Sequence, residues 1–189
     1  MHDVVIVGNG PSLLDLKIGP LIDSHQTVVR ISNFSVAKKL QAYTGTKTNV
    51  WFGYFAPHPL IPTFDLVVSC YANQHEIARQ RSEAIHKCCE EANVNCEIPP
   101  KSVERCAHEA LRLECTGTSP FPTTGFVAIT YYLMRGVAVD ICGFDLYSRG
   151  CYYWDKSALV RGSVWRDHDI LREREVLQSY ADSGQVTFL

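Results

Sequence analysis

The run Gly8-Asn9-Gly10-Pro11-Ser12 carries the first chemical signal in the sequence. It follows the β-branched run Val4 to Val7 and precedes the apolar-periodic stretch Leu13 to Ile22, so it stands at a strand-to-helix turn. Glycines there let the backbone turn tightly and approach a ligand, and the amides of a helix start suit a phosphate. A nucleotide is the expected ligand. A dinucleotide fits less well, because Leu13 stands where the third glycine of GxGxxG belongs, and Arg30 to Asn33 lack the acid that would bind a ribose. A bare strand-to-helix turn, with Asn9 only capping it, is the structural alternative.

The other side chains with chemical reach are cysteines, histidines and tyrosines. The eight cysteines include no CxxC pair, and His86, Cys88, Cys89, Cys96, Cys106 and His108 lack zinc-ligand spacing, so no metal is expected. With no basic leader before an apolar stretch, the cysteines read as reduced, mostly buried small hydrophobes rather than disulfides.

Positioning such groups requires a core, and 189 residues, 46% of them hydrophobic, are enough for one compact domain spanning 1–189. Lys and Arg number 18 against 20 Asp and Glu, so no global positive field exists to hold a nucleic-acid backbone. The longest apolar run, Phe126 to Met134, is far shorter than the ~20 residues of a membrane span. The expected location is cytoplasmic, or that of a soluble catalytic domain of a membrane-associated enzyme.

Short β-branched or aromatic runs bounded by turn residues predict strands at Val4 to Val7, Thr27 to Ile31, Asn49 to Phe52, Leu66 to Cys70, Val137 to Cys142 and Val186 to Leu189. Helical periodicity predicts helices at Leu13 to Ile22, Val36 to Tyr43, Glu76 to Ala92, Val103 to Leu113, Gly125 to Met134 and Ile170 to Ala181. The helix from Gly125 is apolar all round and belongs in the core. This alternation predicts a single Rossmann-like α/β domain, a mostly parallel sheet with helices on both faces and its ligand at the carboxyl edge.

Four segments, taken in order, resemble the motifs of the CMP-sialic-acid-dependent sialyltransferases. The run from Val5 to Trp51, with GNGPSL, IDSHQTVVRISNF and GTKTNVW, is similar to their first motif. Pro122-Thr123-Thr124-Gly125-Phe126 through Asp140-Ile141-Cys142-Gly143-Phe144-Asp145 is similar to the second. Tyr152-Tyr153-Trp154-Asp155 resembles the short aromatic third, and His168 with Glu173 five places on resembles the last. Tyr147 and Tyr153 also match a pair of tyrosines in some bacterial members. The sequence departs from animal members in giving Cys142 no partner cysteine before Cys70, and in placing Cys151 where a histidine is common.

The resemblance implies transfer of sialic acid, or a related 2-keto sugar acid such as Kdo, from a CMP-sugar donor to a glycan acceptor, with inversion and without cofactor or metal. Gly8, Asn9, Gly10, Ser12, Asn33, Thr124, Gly125, Gly143 and Asp145 would then bind the donor. Carboxamides suit phosphate, ribose or cytosine, since they both donate and accept, although Asn33 reads equally well as a cap. Tyr147 and Tyr153 would donate to the departing phosphate. His168, paired with Glu173, would take the acceptor proton, a task that suits an imidazole largely neutral at pH 7. Asp167-His168-Asp169 contains the Asp-x-Asp pattern by which other glycosyltransferases hold a metal, but it flanks a helix start, where capping is the expected role of both aspartates. Gly53 to Ser119 carries none of the four motifs, and acceptor specificity is expected to reside there. The rival readings are a CMP-Kdo-dependent enzyme, a catalytically silent nucleotide-binding protein and, less well supported, an NADPH-binding oxidoreductase.

Overall fold

Val4–Val7 (β1) is apolar at every position because both of its faces are covered. Val4 and Ile6 pack into one core layer, Val5 and Val7 into the layer on the opposite face, as the two-residue period of a strand requires. The computed structural model describes residues 1–70, 76–113, 120–145, 150–155 and 167–189.

β1 is flanked by Thr27–Ile31 (β2) and, on its other side, by Val139–Cys142 (β6); Val5 stands opposite both Val28 and Asp140. Val50–Gly53 (β3), Leu66–Ser69 (β4) and Asn95–Glu97 (β5) extend the sheet beyond β2, and Val186–Phe188 (β7) closes the other edge. All six pairings are parallel, in the order β5-β4-β3-β2-β1-β6-β7. The order therefore reverses between β1 and β6, which places the ligand crevice of such a sheet at the carboxyl ends of these two strands. At the opposite, amino-terminal ends, the buried Asp140 carboxylate accepts from the His2 amide at 3.1 Å and meets the His25 ring at 2.9 Å, joining β1, β2 and β6.

Six of the seven strands lie where the sequence predicts them. β5 escapes notice because its three residues are polar or only partly buried and include no β-branched side chain. Two predicted helices are each divided. The first becomes a single 3-10 turn, Pro11–Leu14, followed by Gly19–Ser24 (α1); Pro11 and Pro20 each stand in a first turn, where a missing N–H costs nothing. Similarly, Lys38–Leu40 is a 3-10 turn followed by Gln41–Thr44 (α2), which Gly45 ends at φ +67°.

The long helices match their periodicity. Glu76–Ala92 (α3) packs Ile85 and Cys89 on Trp51 and Val67, while Lys101–Leu111 (α4) packs Val103, Ala107 and Leu111 on the other face of the sheet. Thr124–Leu133 (α5) lies on that second face and buries all of its residues from Gly125 to Tyr132. Ile170–Asp182 (α6) contributes Ile170, Val176 and Leu177 to the same layer. Burying these side chains contributes about 1.5–3 kcal/mol each.

Candidate active site

A cavity of about 440 Å³ opens at the carboxyl ends of β1, β2, β3 and β6, against the first turn of α5. Its volume lies within the range of small-ligand sites. The floor is where the loops after β1 and β6 meet. Gly8 N donates to Cys142 O at 2.8 Å, Gly10 N to Gly143 O at 2.8 Å, and Ser12 N to an Asp145 carboxylate oxygen at 3.2 Å. A Cβ on Gly10 would lie 1.6 Å from Asp145 Oδ1 and 2.7 Å from the Gly143 carbonyl, so only glycine permits this approach. This revises the phosphate-cradle expectation: the amides of Gly8, Gly10 and Ser12 hold the neighbouring loop, and the segment they open is one 3-10 turn rather than a helix.

Asn9 does not cap that turn. Its Nδ2 donates to Ile31 O at 3.0 Å, while its Oδ1 is out of solvent contact and without a partner among the described residues. An unsatisfied buried acceptor costs about 1–3 kcal/mol.

Asn33 reaches the wall through an unusual backbone. Ser32 precedes it at φ +49°, held by its amide donating to Phe52 O and its carbonyl accepting from Trp51 Nε1, both at 2.8 Å. Asn33 is thereby turned outward and exposed. Phe34 stacks on His58 with ring centroids 4.3 Å apart, and Ser35 is clasped by the Tyr153 hydroxyl, which accepts from its amide at 2.9 Å and donates to its carbonyl at 2.8 Å.

Tyr153 is thus placed away from the wall. It is buried in the core layer beneath β1 and uses its hydroxyl on Ser35 in both directions. Its neighbours Tyr152 and Trp154 line the cavity instead, stacked 5.1 Å apart and nearly parallel. Burial raises the pKa of both tyrosines, keeping each a hydrogen-bond donor. Tyr147 lies outside the described residues.

The first turn of α5 is built from two directions. Thr123 is its N-cap, the hydroxyl accepting from Phe126 N at 3.1 Å, and Glu173 of α6 accepts from Thr123 through both carboxylate oxygens. Thr124 and Gly125, whose first-turn amides an α-helix cannot satisfy itself, line the cavity. Glu173 does not line it. It is 1% exposed, and burial pushes its pKa up to about 7 against the lowering effect of the Thr123 hydrogen bonds.

His168 does line the cavity. Its Nδ1 lies 2.6 Å from the Phe121 carbonyl, which can only accept, so Nδ1 carries the ring proton and Nε2 of the neutral imidazole is the acceptor. Burial lowers its pKa, opposed by the Phe121 hydrogen bond and by Asp167, so the neutral form prevails at pH 7. Phe121 also packs edge-on against the ring, and its amide donates to Asp167 O at 3.0 Å. Of the two flanking aspartates, Asp169 caps α6 by accepting from Arg172 N at 3.0 Å, as expected. Asp167, in contrast, is on the cavity wall.

Sequence reasoning therefore found Gly8, Asn9, Gly10, Asn33, Thr124, Gly125, Gly143, Asp145 and His168 among the lining residues and missed a set of aromatics, Tyr54, Phe55, Phe121, Phe144, Tyr152 and Trp154. Phe144, Tyr152 and Trp154 stand within the motif segments, whereas Tyr54 and Phe55 follow the end of β3 and Phe121 precedes α5, outside them. The wall includes no Lys or Arg among the described residues, so an anion there would rely on backbone amides, the α5 dipole and neutral donors. Among the described residues, no group of three or more His, Cys, Asp or Glu could hold a metal, and no helix is long and apolar enough to cross a membrane. The described cysteines are free, and Cys142 is buried on β6.

A profile of Glycosyltransferase family 29 (sialyltransferase) matches residues 1–185. Among solved structures, a mammalian sialyltransferase in complex with Gal-beta-1-3GalNAc-ortho-nitrophenol is similar at a TM-score of 0.69 and 20% identity, covering 98% of this chain and 68% of that one. A second structure of a mammalian sialyltransferase gives a TM-score of 0.67, with the same identity and coverage. Comparison with curated protein sequences yields no match.

Proposed function

Because the chain belongs to glycosyltransferase family 29, the sialyltransferases, we propose that it transfers sialic acid, or a related 2-keto sugar acid, from a CMP-linked donor to a glycan hydroxyl. The observation that carries this reading is the Phe121–His168 hydrogen bond, which fixes an imidazole on the cavity wall with Nε2 as its acceptor. In the proposed step the acceptor oxygen bonds to the anomeric carbon of the sugar. The bond from that carbon to the phosphate oxygen breaks, its electron pair leaves with CMP, and the acceptor proton passes to His168 Nε2. Attack opposite the leaving group inverts the anomeric centre.

The leaving group carries one phosphate, and its growing charge would be met by the first-turn amides of α5 at Thr124 and Gly125. Asn9 and Asn33 would orient the nucleotide, with Asp145 and Gly143 shaping the floor beneath it. Glu173 acts one step removed, holding Thr123 and through it the helix start. Tyr147 keeps its expected role as a donor to the leaving phosphate, whereas the placement of Tyr153 supports a positioning role.

A donor panel tests the reading. The protein should release CMP from CMP-sialic acid or CMP-Kdo and leave UDP-linked sugars intact, and the product anomer followed by NMR should be inverted. Tighter binding of UDP or NADPH than of CMP would refute the assignment.

A further inference from the structure

Phe55 is 60% exposed, and it is the one large, exposed apolar side chain that the described wall of the cavity contains. It follows β3, in the part of the chain where the sequence motifs are silent. The ring is not loose. Tyr54, itself buried, meets it edge-on with centroids 4.6 Å apart, and Arg81 of α3 lies 5.0 Å from the Phe55 ring centre and 5.1 Å from that of Tyr54. A cation over two aromatic faces is attracted to both and favours one orientation of an exposed side chain. An apolar partner laid on the exposed part of the ring would be favoured by the area it buries.

We infer that the Phe55 ring, braced by Tyr54 and Arg81, is the platform on which the acceptor's pyranose ring stacks. One face of a pyranose presents axial C–H bonds and is apolar, while its hydroxyls project from the edge. Stacked on Phe55, such a ring buries its C–H face and leaves an edge hydroxyl free to enter the cavity that contains His168. A nucleotide is the poorer occupant of this lip, since the polar groups that would recognise it line the floor and the first turn of α5. This inference rests on the donor reading above and names the acceptor side of the same cavity; Arg81 ties α3, and so the motif-free middle of the chain, to acceptor choice.

The test uses the full chain saturated with CMP and a panel of simple methyl glycosides, with binding followed by saturation-transfer NMR. The wild type should saturate at least one glycoside at its C–H protons. Phe55→Ala should weaken that binding about tenfold, Phe55→Trp should retain it, and Arg81→Ala should weaken it severalfold, with CMP affinity unchanged in all three variants. CMP titration also reports that each variant is folded. Equal glycoside binding by wild type and Phe55→Ala, or no binding by the wild type, would overturn the proposal. If glycosides bind through Phe55 but no CMP-sugar is turned over, the donor reading fails and the platform stands.

Discussion

Glu173 accepts two hydrogen bonds from a single residue, Thr123, through opposite oxygens of its carboxylate, 2.6 Å from the amide and 2.8 Å from the hydroxyl. Thr123 in turn caps the buried helix α5, so the start of that helix is set by a side chain 50 residues away. With the Phe121–His168 and Phe121–Asp167 hydrogen bonds, this fastens the segment before α5 to the segment before α6. The candidate base and the candidate anion-binding helix are therefore held in register by one short network.

The burial of Glu173 makes stability depend on pH. Glu173 is raised to about 7 in the fold, so between its unfolded value near ~4.3 and pH 7 the folded state binds more protons than the unfolded chain. Stability should therefore fall as pH rises through that window, by about 4 kcal/mol in total, and level off above it. Glu173→Gln should flatten the slope. Urea unfolding at a series of pH values measures this, and an unchanged slope in the variant would assign the dependence to another group.

Replacement of His168 with Ala should lower transfer roughly 100-fold or more while CMP affinity stays nearly constant, the pattern of a lost general base. Because burial lowers the His168 pKa, the acid limb of kcat/KM should lie below the ~6.5 of a free imidazole. Asp167→Asn removes a charge that raises this pKa and should move the limb further toward acid. Wild-type turnover by the alanine variant would exclude His168 as the base.

Tyr153→Phe separates two roles. If the hydroxyl serves Ser35, its loss leaves a backbone amide and carbonyl without partners and should cost about 1–3 kcal/mol of stability, raise the donor KM and leave kcat largely intact. A collapse of kcat in a fully stable variant would instead return Tyr153 to the leaving group.

Gly10→Ala should be poorly tolerated. Its Cβ would lie 1.6 Å from Asp145 Oδ1 and 2.7 Å from the backbone of Gly143, forcing the floor loops apart at a cost of about 1–3 kcal/mol. Thermal unfolding and CMP titration should both register the change, and a variant matching the wild type in both would show that the loops yield more easily than their packing implies.

Transfer should survive EDTA, since the proposed helix amides and neutral donors meet the charge of a single phosphate without a cation. Activity lost on chelation and restored by magnesium or manganese would bring the Asp167–Asp169 pair back as metal ligands.

The sequence by itself determined the architecture, because alternation of buried strands with apolar-faced helices is written in local periodicity: β1 and β2 match their predicted bounds, and α3 matches from Glu76 to Ala92. It also marked much of the cavity, because Gly8, Asn9, Asn33, Thr124 and Gly143 sit at strand ends or helix starts, and a parallel sheet brings such positions to one edge. Tertiary structure decided what each side chain does there. Tyr152 and Tyr153 are adjacent and chemically alike, yet one faces the cavity and the other the core, where Ser35 takes its hydroxyl in both directions. Gly8 and Gly10 read as a phosphate cradle until the end of β6 and the loop after it are seen to take their amides, a contact more than 130 residues distant in the chain. The partnership of Glu173 with Thr123, rather than with the reacting groups, likewise depends on how α6 packs beside α5, which no local pattern encodes.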